Sequence, residues 1–240
     1  MHGIYKLNSI TFTALIIALV FCIPLLSVGN KAKAASVKKQ TVSSSSMPVG
    51  DAVDAKLRAS GLVNVCNIGS NFAYDQRYGT TNNFTGAKIY NSRRIYLRTE
   101  TAQKLAEANK ELNSLGYRIK IWDAYRPYSV QKLLYLKAPA GQKYFIADPY
   151  NTDACTHNRG TAVDITLVKL DGSPVEMPTD MDSFSHKAYA DDDSCSKQAA
   201  KNRGILRTVM EKHGFSGIGC EWWHFNDTDT YKYSIIDVMF

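Results

Sequence analysis

Three short segments hold the residue types that metal-assisted hydrolysis needs. Cys155-Thr-His157-Asn-Arg-Gly160-Thr-Ala-Val-Asp164 offers an imidazole and a carboxylate separated by a turn. Glycine reaches backbone conformations closed to other residues, so Gly160 lets the chain turn tightly before a strand and bring His157 over the face that carries Asp164. A histidine nitrogen and a carboxylate oxygen on one face are half of a zinc site. The same residues also read as a capped turn followed by an ordinary strand. Glu221-Trp-Trp-His224 adds an acid and a second imidazole. Residues three apart on a regular strand point to opposite faces, so sharing one site requires the chain to bulge or bend there. Otherwise the segment is a core strand with two aromatics and a hydrogen-bonded histidine. In Asp123-Ala-Tyr-Arg126-Pro127, the proline disfavours helical geometry at Arg126 and holds it extended. A fixed guanidinium suits a carboxylate or a developing oxyanion, and a surface pair with Asp123 is the alternative.

The elements that position these residues follow from periodicity. Residues 99–115 read as an amphipathic helix, with Thr99 as cap, Ala102, Leu105, Leu112 and Leu115 on one face, and Gly116 at the end. Residues 118–122 alternate as a strand, and 128–136 are helical again. A second strand over 161–168 turns Val163, Ile165 and Leu167 one way and Ala162, Asp164 and Thr166 the other. A third helix over 197–212 stops near Gly214, and 218–225 reads as a last core strand. Strands and helices mix without strict alternation, which points to an α+β fold.

The order of the three segments is that of a known family. They resemble zinc D-alanyl-D-alanine dipeptidases of the VanX type, and upstream Tyr78-Gly-Thr-Thr-Asn-Asn-Phe-Thr-Gly86 resembles that family's early strand and turn. The resemblance covers about residues 60–228. It implies a hedgehog/DD-peptidase-like fold, a central, mainly antiparallel sheet flanked by helices. It implies one Zn2+ per chain held by His157, Asp164 and His224, with Glu221 as general base and then acid. Arg126 would stabilise the tetrahedral intermediate, and Asp182, in Met181-Asp-Ser-Phe184, would receive the substrate's ammonium. Tyr125 and Cys155 fall among the positions expected to contact substrate. The family usually has Ser where this chain has Cys155, and a thiol is a poor hydrogen-bond donor. His186 and His213 are assigned no metal role; a positive charge at a helix end accounts for His213.

The implied reaction is hydrolysis of D-Ala-D-Ala or a related small dipeptide in peptidoglycan turnover. A D,D- or L,D-carboxypeptidase acting on longer stems is a second reading. A non-catalytic zinc-containing wall-binding module is a third, against which Glu221 and Arg126 argue, since binding alone needs no proton shuttle.

Bulk properties bound the setting. The 240 residues suit a targeting segment and one medium domain. Lys6, an apolar run of 15 residues from Ala14 to Val28, and Ala32-Lys33-Ala34 read as a secretory signal cleaved after Ala34. That run is short for a spanning helix, and Phe21 before Cys22 is too bulky for lipoprotein processing. Residues 35–50, with Ser43 to Ser46 in one block, read as a linker, and 51–240 as the catalytic domain. The net charge of +7 includes Lys6, Lys31 and Lys33, so it falls to +4 once residues 1–34 are removed. That balance does not argue for nucleic acid, and no membrane partner is expected after cleavage. An exported, wall-associated protein is the expected setting, where Cys66, Cys155, Cys195 and Cys220 could form disulfides in any of three pairings.

Overall fold

A computed structural model describes residues 49–240. The signal and nearly all of the linker expected from the sequence lie outside these residues. The first described helix, α1 (Val49–Ala59), begins two residues before Asp51.

Along the chain follow β1 (Leu62–Asn64), β2 (Ala73–Tyr74), β3 (Tyr96–Arg98), α2 (Thr99–Ser114), β4 (Tyr117–Asp123) and α3 (Tyr128–Lys137). Then come β5 (Ala162–Lys169), α4 (Lys197–Lys212), β6 (Phe215–Gly217) and β7 (His224–Asp227). The five-stranded sheet runs β2-β4-β5-β7-β6; β2 pairs parallel with β4 and every other neighbour is antiparallel. β1 and β3 form a separate antiparallel pair. The architecture is α+β with a mainly antiparallel sheet, as expected. α2 and α4 pack on each other and reach the sheet at β4, β5 and β6. Their apolar stripes, Ala102, Leu105, Ala108 and Leu112 on α2 and Leu206, Val209 and Met210 on α4, join Ile119, Ile121, Val163, Ile165 and Leu167 in the core.

Local details depart from the sequence expectations for identifiable reasons. Thr99 is the first residue of α2 and Arg98 occupies the cap position without a side-chain bond, because Arg98 spans to the carbonyls of Ser60, Arg159 and Ser234. Residues 78–86 form no strand. Asn83 donates to the carbonyls of Arg77, Thr80 and Ala87 and winds the segment into turns instead. Residues 218–223 are not strand either, and β7 begins only at His224. The four cysteines among the described residues are unbridged.

Two backbone features aim the site. β4 carries an irregularity at Trp122: Ile121 pairs with Ile165, but Asp123 pairs with Asp164. Strict alternation would leave Asp123 on the face of Ile119 and Ile121. The extra residue instead sets it opposite Asp164, on the same face of the sheet. The second feature is Gly160, which has φ of 73° and follows the turn His157–Arg159 directly into β5. A Cβ there would collide with the Leu62 side chain, so both conformation and space demand glycine.

Candidate metal centre

The turn ending at Gly160 and the sheet face of β5 bring His157 and Asp164 together, and the first residue of β7 completes the group. His157, Asp164 and His224 are all buried, with one ligand atom from each lying within 4.8 Å of the others. His157 Nε2 is 3.1 Å from His224 Nδ1 and 3.3 Å from Asp164 Oδ2; His224 Nδ1 is 3.1 Å from Asp164 Oδ1.

The outer nitrogens decide what the inner ones present. His157 Nδ1–H donates to the carbonyl of Ala124 (2.6 Å), and His224 Nε2–H donates to Asn226 Oδ1 (2.8 Å). With their protons outward, both rings turn lone pairs toward Asp164. Three such donors repel one another unless a positive charge, a proton or a metal ion, lies among them. Two neutral imidazoles and one carboxylate are a donor set that zinc accepts. The electrostatics agree. Burial works against a charged His224, yet its hydrogen bond to Asp164 and the nearby Asp164 and Glu221 carboxylates raise its pKa. Burial likewise opposes a charged Asp164, but His157 and His224 hold its carboxyl well below the usual range.

Glu221 reaches the same place through a turn. The N–H of His224 donates to the carbonyl of Glu221 (3.4 Å). This tight turn sets residues three apart side by side, with Glu221 Oε2 at 3.8 Å from His224 Nδ1. The bend that the spacing required is therefore a turn ahead of the strand. Burial, followed by the negative charge of Asp164, pushes the Glu221 carboxyl up to about 8. A bound dication would draw it down again.

Arg126 pairs with Asp123, but the pair is buried and not at the surface. Nε and Nη2 donate to Asp123 Oδ2 at 3.0 and 2.9 Å, Nη1 to Gln131 Oε1 at 2.8 Å, and Nη2 to Asp164 Oδ2 at 3.4 Å. A guanidinium has five N–H donors, so among the described residues one N–H on Nη1 lacks a protein partner. Asp123, fully buried, also accepts from Gln76 and Tyr90. The extended geometry that Pro127 enforces sends Arg126 back toward the sheet, and α3 begins at the next residue.

These groups line a cavity of about 440 Å³, whose walls include Tyr78, Arg126, Asp164, Asp182, Glu221 and His224. Asp182 is the one non-glycine residue with positive φ among the described residues, at 58°, a conformation held at some cost in energy. Its carboxylate accepts from Tyr78 Oη at 3.1 Å. Burial, then the charge of Asp164, pushes it up to about 7.

Two expected contacts are not on the cavity wall. The Cys155 thiol is buried against the carbonyls of Asp148, Pro149 and Asn151, at 3.6 to 3.9 Å, so it packs into the preceding turn; its neighbour Thr156 lines the cavity. Tyr125 is directed under the C-terminal segment, where its hydroxyl donates to the Val238 carbonyl and accepts from the Val238 N–H. His213 meets Glu111 at the end of α4, and His186 lies beside Tyr189; neither joins the metal donors. Sequence reading missed Tyr78, Gln131 and Asn226. Tyr78 stood inside the upstream match, while Gln131 and Asn226 carry no local signal that separates them from other polar residues.

The sequence profile of a peptidase family described as D-ala-D-ala dipeptidase matches residues 58–239, which takes in all of these groups. The chain belongs to that D-Ala-D-Ala dipeptidase family. The D-alanyl-D-alanine dipeptidase of Escherichia coli K12 is 31% identical to it over 179 residues, covering 75% of this chain and 91% of the relative. The D-alanyl-D-alanine dipeptidase of Enterococcus faecalis is 32% identical over 173 residues, covering 65% of this chain and 86% of the relative. As a dipeptidase-family member the chain is a peptidase, and its donor set fits the single zinc that the sequence resemblance implied. No helix among the described residues is long and apolar enough to cross a membrane.

Proposed function

We propose that this chain hydrolyses D-Ala-D-Ala, or a closely related small dipeptide, with one zinc ion held by His157, Asp164 and His224. The observation that carries the reading is the convergence of three lone-pair donors, one raised carboxyl and one unspent guanidinium N–H on a single cavity. Zinc bound to these donors supplies a Lewis acid that polarises the peptide carbonyl and acidifies water. Glu221 takes a proton from the attacking water and returns one to the leaving amine. Arg126 offers its remaining Nη1 proton to the oxyanion, held in place by Asp123 and Gln131. No covalent enzyme intermediate is needed.

Metal dependence tests this directly. Chelation should abolish dipeptide hydrolysis and added zinc should restore it. His157→Ala should contain no zinc by elemental analysis and should not be rescued. A metal-free protein of full activity would remove zinc from the account.

Asp182, held by Tyr78 on the cavity wall, is the group for the substrate's ammonium. A pocket that binds a free amino end favours a dipeptide over a longer stem. Loss of one partner from a buried charge pair costs about 2 kcal/mol or more. Asp182→Asn should therefore lower kcat/KM on a free dipeptide at least roughly thirtyfold, mostly through KM and with zinc content unchanged. An unaltered KM would place the ammonium elsewhere.

We assign the protein outside the cytoplasm, in wall-peptide turnover or recovery of D-Ala. The support is the charged start, the apolar run and the small residues at 32–34. The mature protein should begin at Ala35 by mass spectrometry of the exported fraction; an intact N-terminus in a cytoplasmic pool would overturn this assignment.

A further inference from the structure

Asn226 sits two residues after His224 on β7, so the two side chains leave the same face of the strand. Its Oδ1 is 2.8 Å from His224 Nε2, and it lines the same cavity. An asparagine amide can present either its oxygen or its NH₂ group to that ring. Only the oxygen leaves the proton on Nε2 and the lone pair on Nδ1, the atom 3.1 Å from both His157 Nε2 and Asp164 Oδ1. The reversed amide would donate to Nε2, force the proton onto Nδ1 and remove one of the three donors. The His157 ring needs no such choice, because a backbone carbonyl can only accept. We infer that Asn226 is a positioning residue that selects the metal-binding tautomer of His224 and thereby sets zinc affinity. The inference rests on the zinc reading above.

Two substitutions of similar size separate the possibilities. Asn226→Leu removes the acceptor, and Asn226→Asp keeps an acceptor that cannot be reversed. Zinc affinity is measured by competition with a chromogenic chelator at pH 7.5. Asn226→Leu should bind zinc about 10- to 100-fold more weakly than the parent, the range typical of lost outer partners to ligating histidines. Asn226→Asp should bind at least as tightly as the parent. Nitrogen-15 NMR of the parent's zinc form should show the His224 proton on Nε2. Equal affinity in Asn226→Leu and the parent, or a proton on Nδ1, overturns the inference. Weak binding by Asn226→Asp and Asn226→Leu alike does so too, because it makes the effect one of general disruption. A parent that binds no zinc would instead defeat the metal reading itself.

Discussion

Glu221→Gln should retain zinc and lose activity by about two to four orders of magnitude, the range expected when a positioned proton-transfer group is removed. The substitution preserves shape but cannot accept a proton. Glu221 is not among the three converging donors, and its Oε2 stands 3.8 Å from the His224 Nδ1 donor atom, so metal content should stay at the parent level. The environment suits the assigned task. Burial and Asp164 favour the protonated carboxyl, whereas a dication beside it favours the carboxylate. These opposed influences let one group take up a proton and give it away near neutral pH. Elemental analysis and steady-state turnover are needed together. Near-parental turnover in a zinc-replete Glu221→Gln protein would remove Glu221 from the chemistry.

Arg126→Ala should cost stability as well as activity. The guanidinium satisfies a fully buried Asp123, which among the described residues keeps the neutral Gln76 and Tyr90 donors without it. Breaking a buried pair by removing one partner costs about 3–5 kcal/mol, a large share of the roughly 5–15 kcal/mol that holds a domain folded. Burial already pushes the Asp123 carboxyl up, so the orphaned group would take up a proton. Adding Asp123→Asn to Arg126→Ala should therefore recover part of the stability and none of the activity. Arg126→Lys should not substitute, because a single ammonium cannot span Asp123, Gln131 and Asp164. Urea unfolding reads the first effect and kcat/KM the second. A loss of stability below about 1 kcal/mol in Arg126→Ala would show that the pair is not structurally required.

The sequence made the helices and β5 legible because their apolar residues recur at the period of the element they build. The fold class followed from the mixture of elements. The metal donors were a different case. His157 and Asp164 share one segment, His224 lies 60 residues beyond Asp164, and neither segment alone outweighed an ordinary structural reading; order and family resemblance joined them. What escaped was decided by geometry that leaves little trace in residue type. Residues 218–225 are rich in apolar and aromatic side chains, which imitates a strand, although the three-residue spacing of Glu221 and His224 already demanded a bend. The irregularity at Trp122 re-aims Asp123 without any glycine or proline to mark it. Cys155 and Tyr125 flank site residues in sequence, yet their side chains pack away from the cavity. Adjacency in sequence fixes neither direction nor contact.

The assay that bears most directly on the account uses purified, zinc-loaded protein with D-Ala-D-Ala, L-Ala-D-Ala and a peptidoglycan stem pentapeptide, and Glu221→Ala as control. The account predicts release of free D-Ala from D-Ala-D-Ala, faster than trimming of the pentapeptide and lost in the control while its zinc remains. A zinc-replete protein that leaves D-Ala-D-Ala intact, or that trims the pentapeptide in preference, would contradict it.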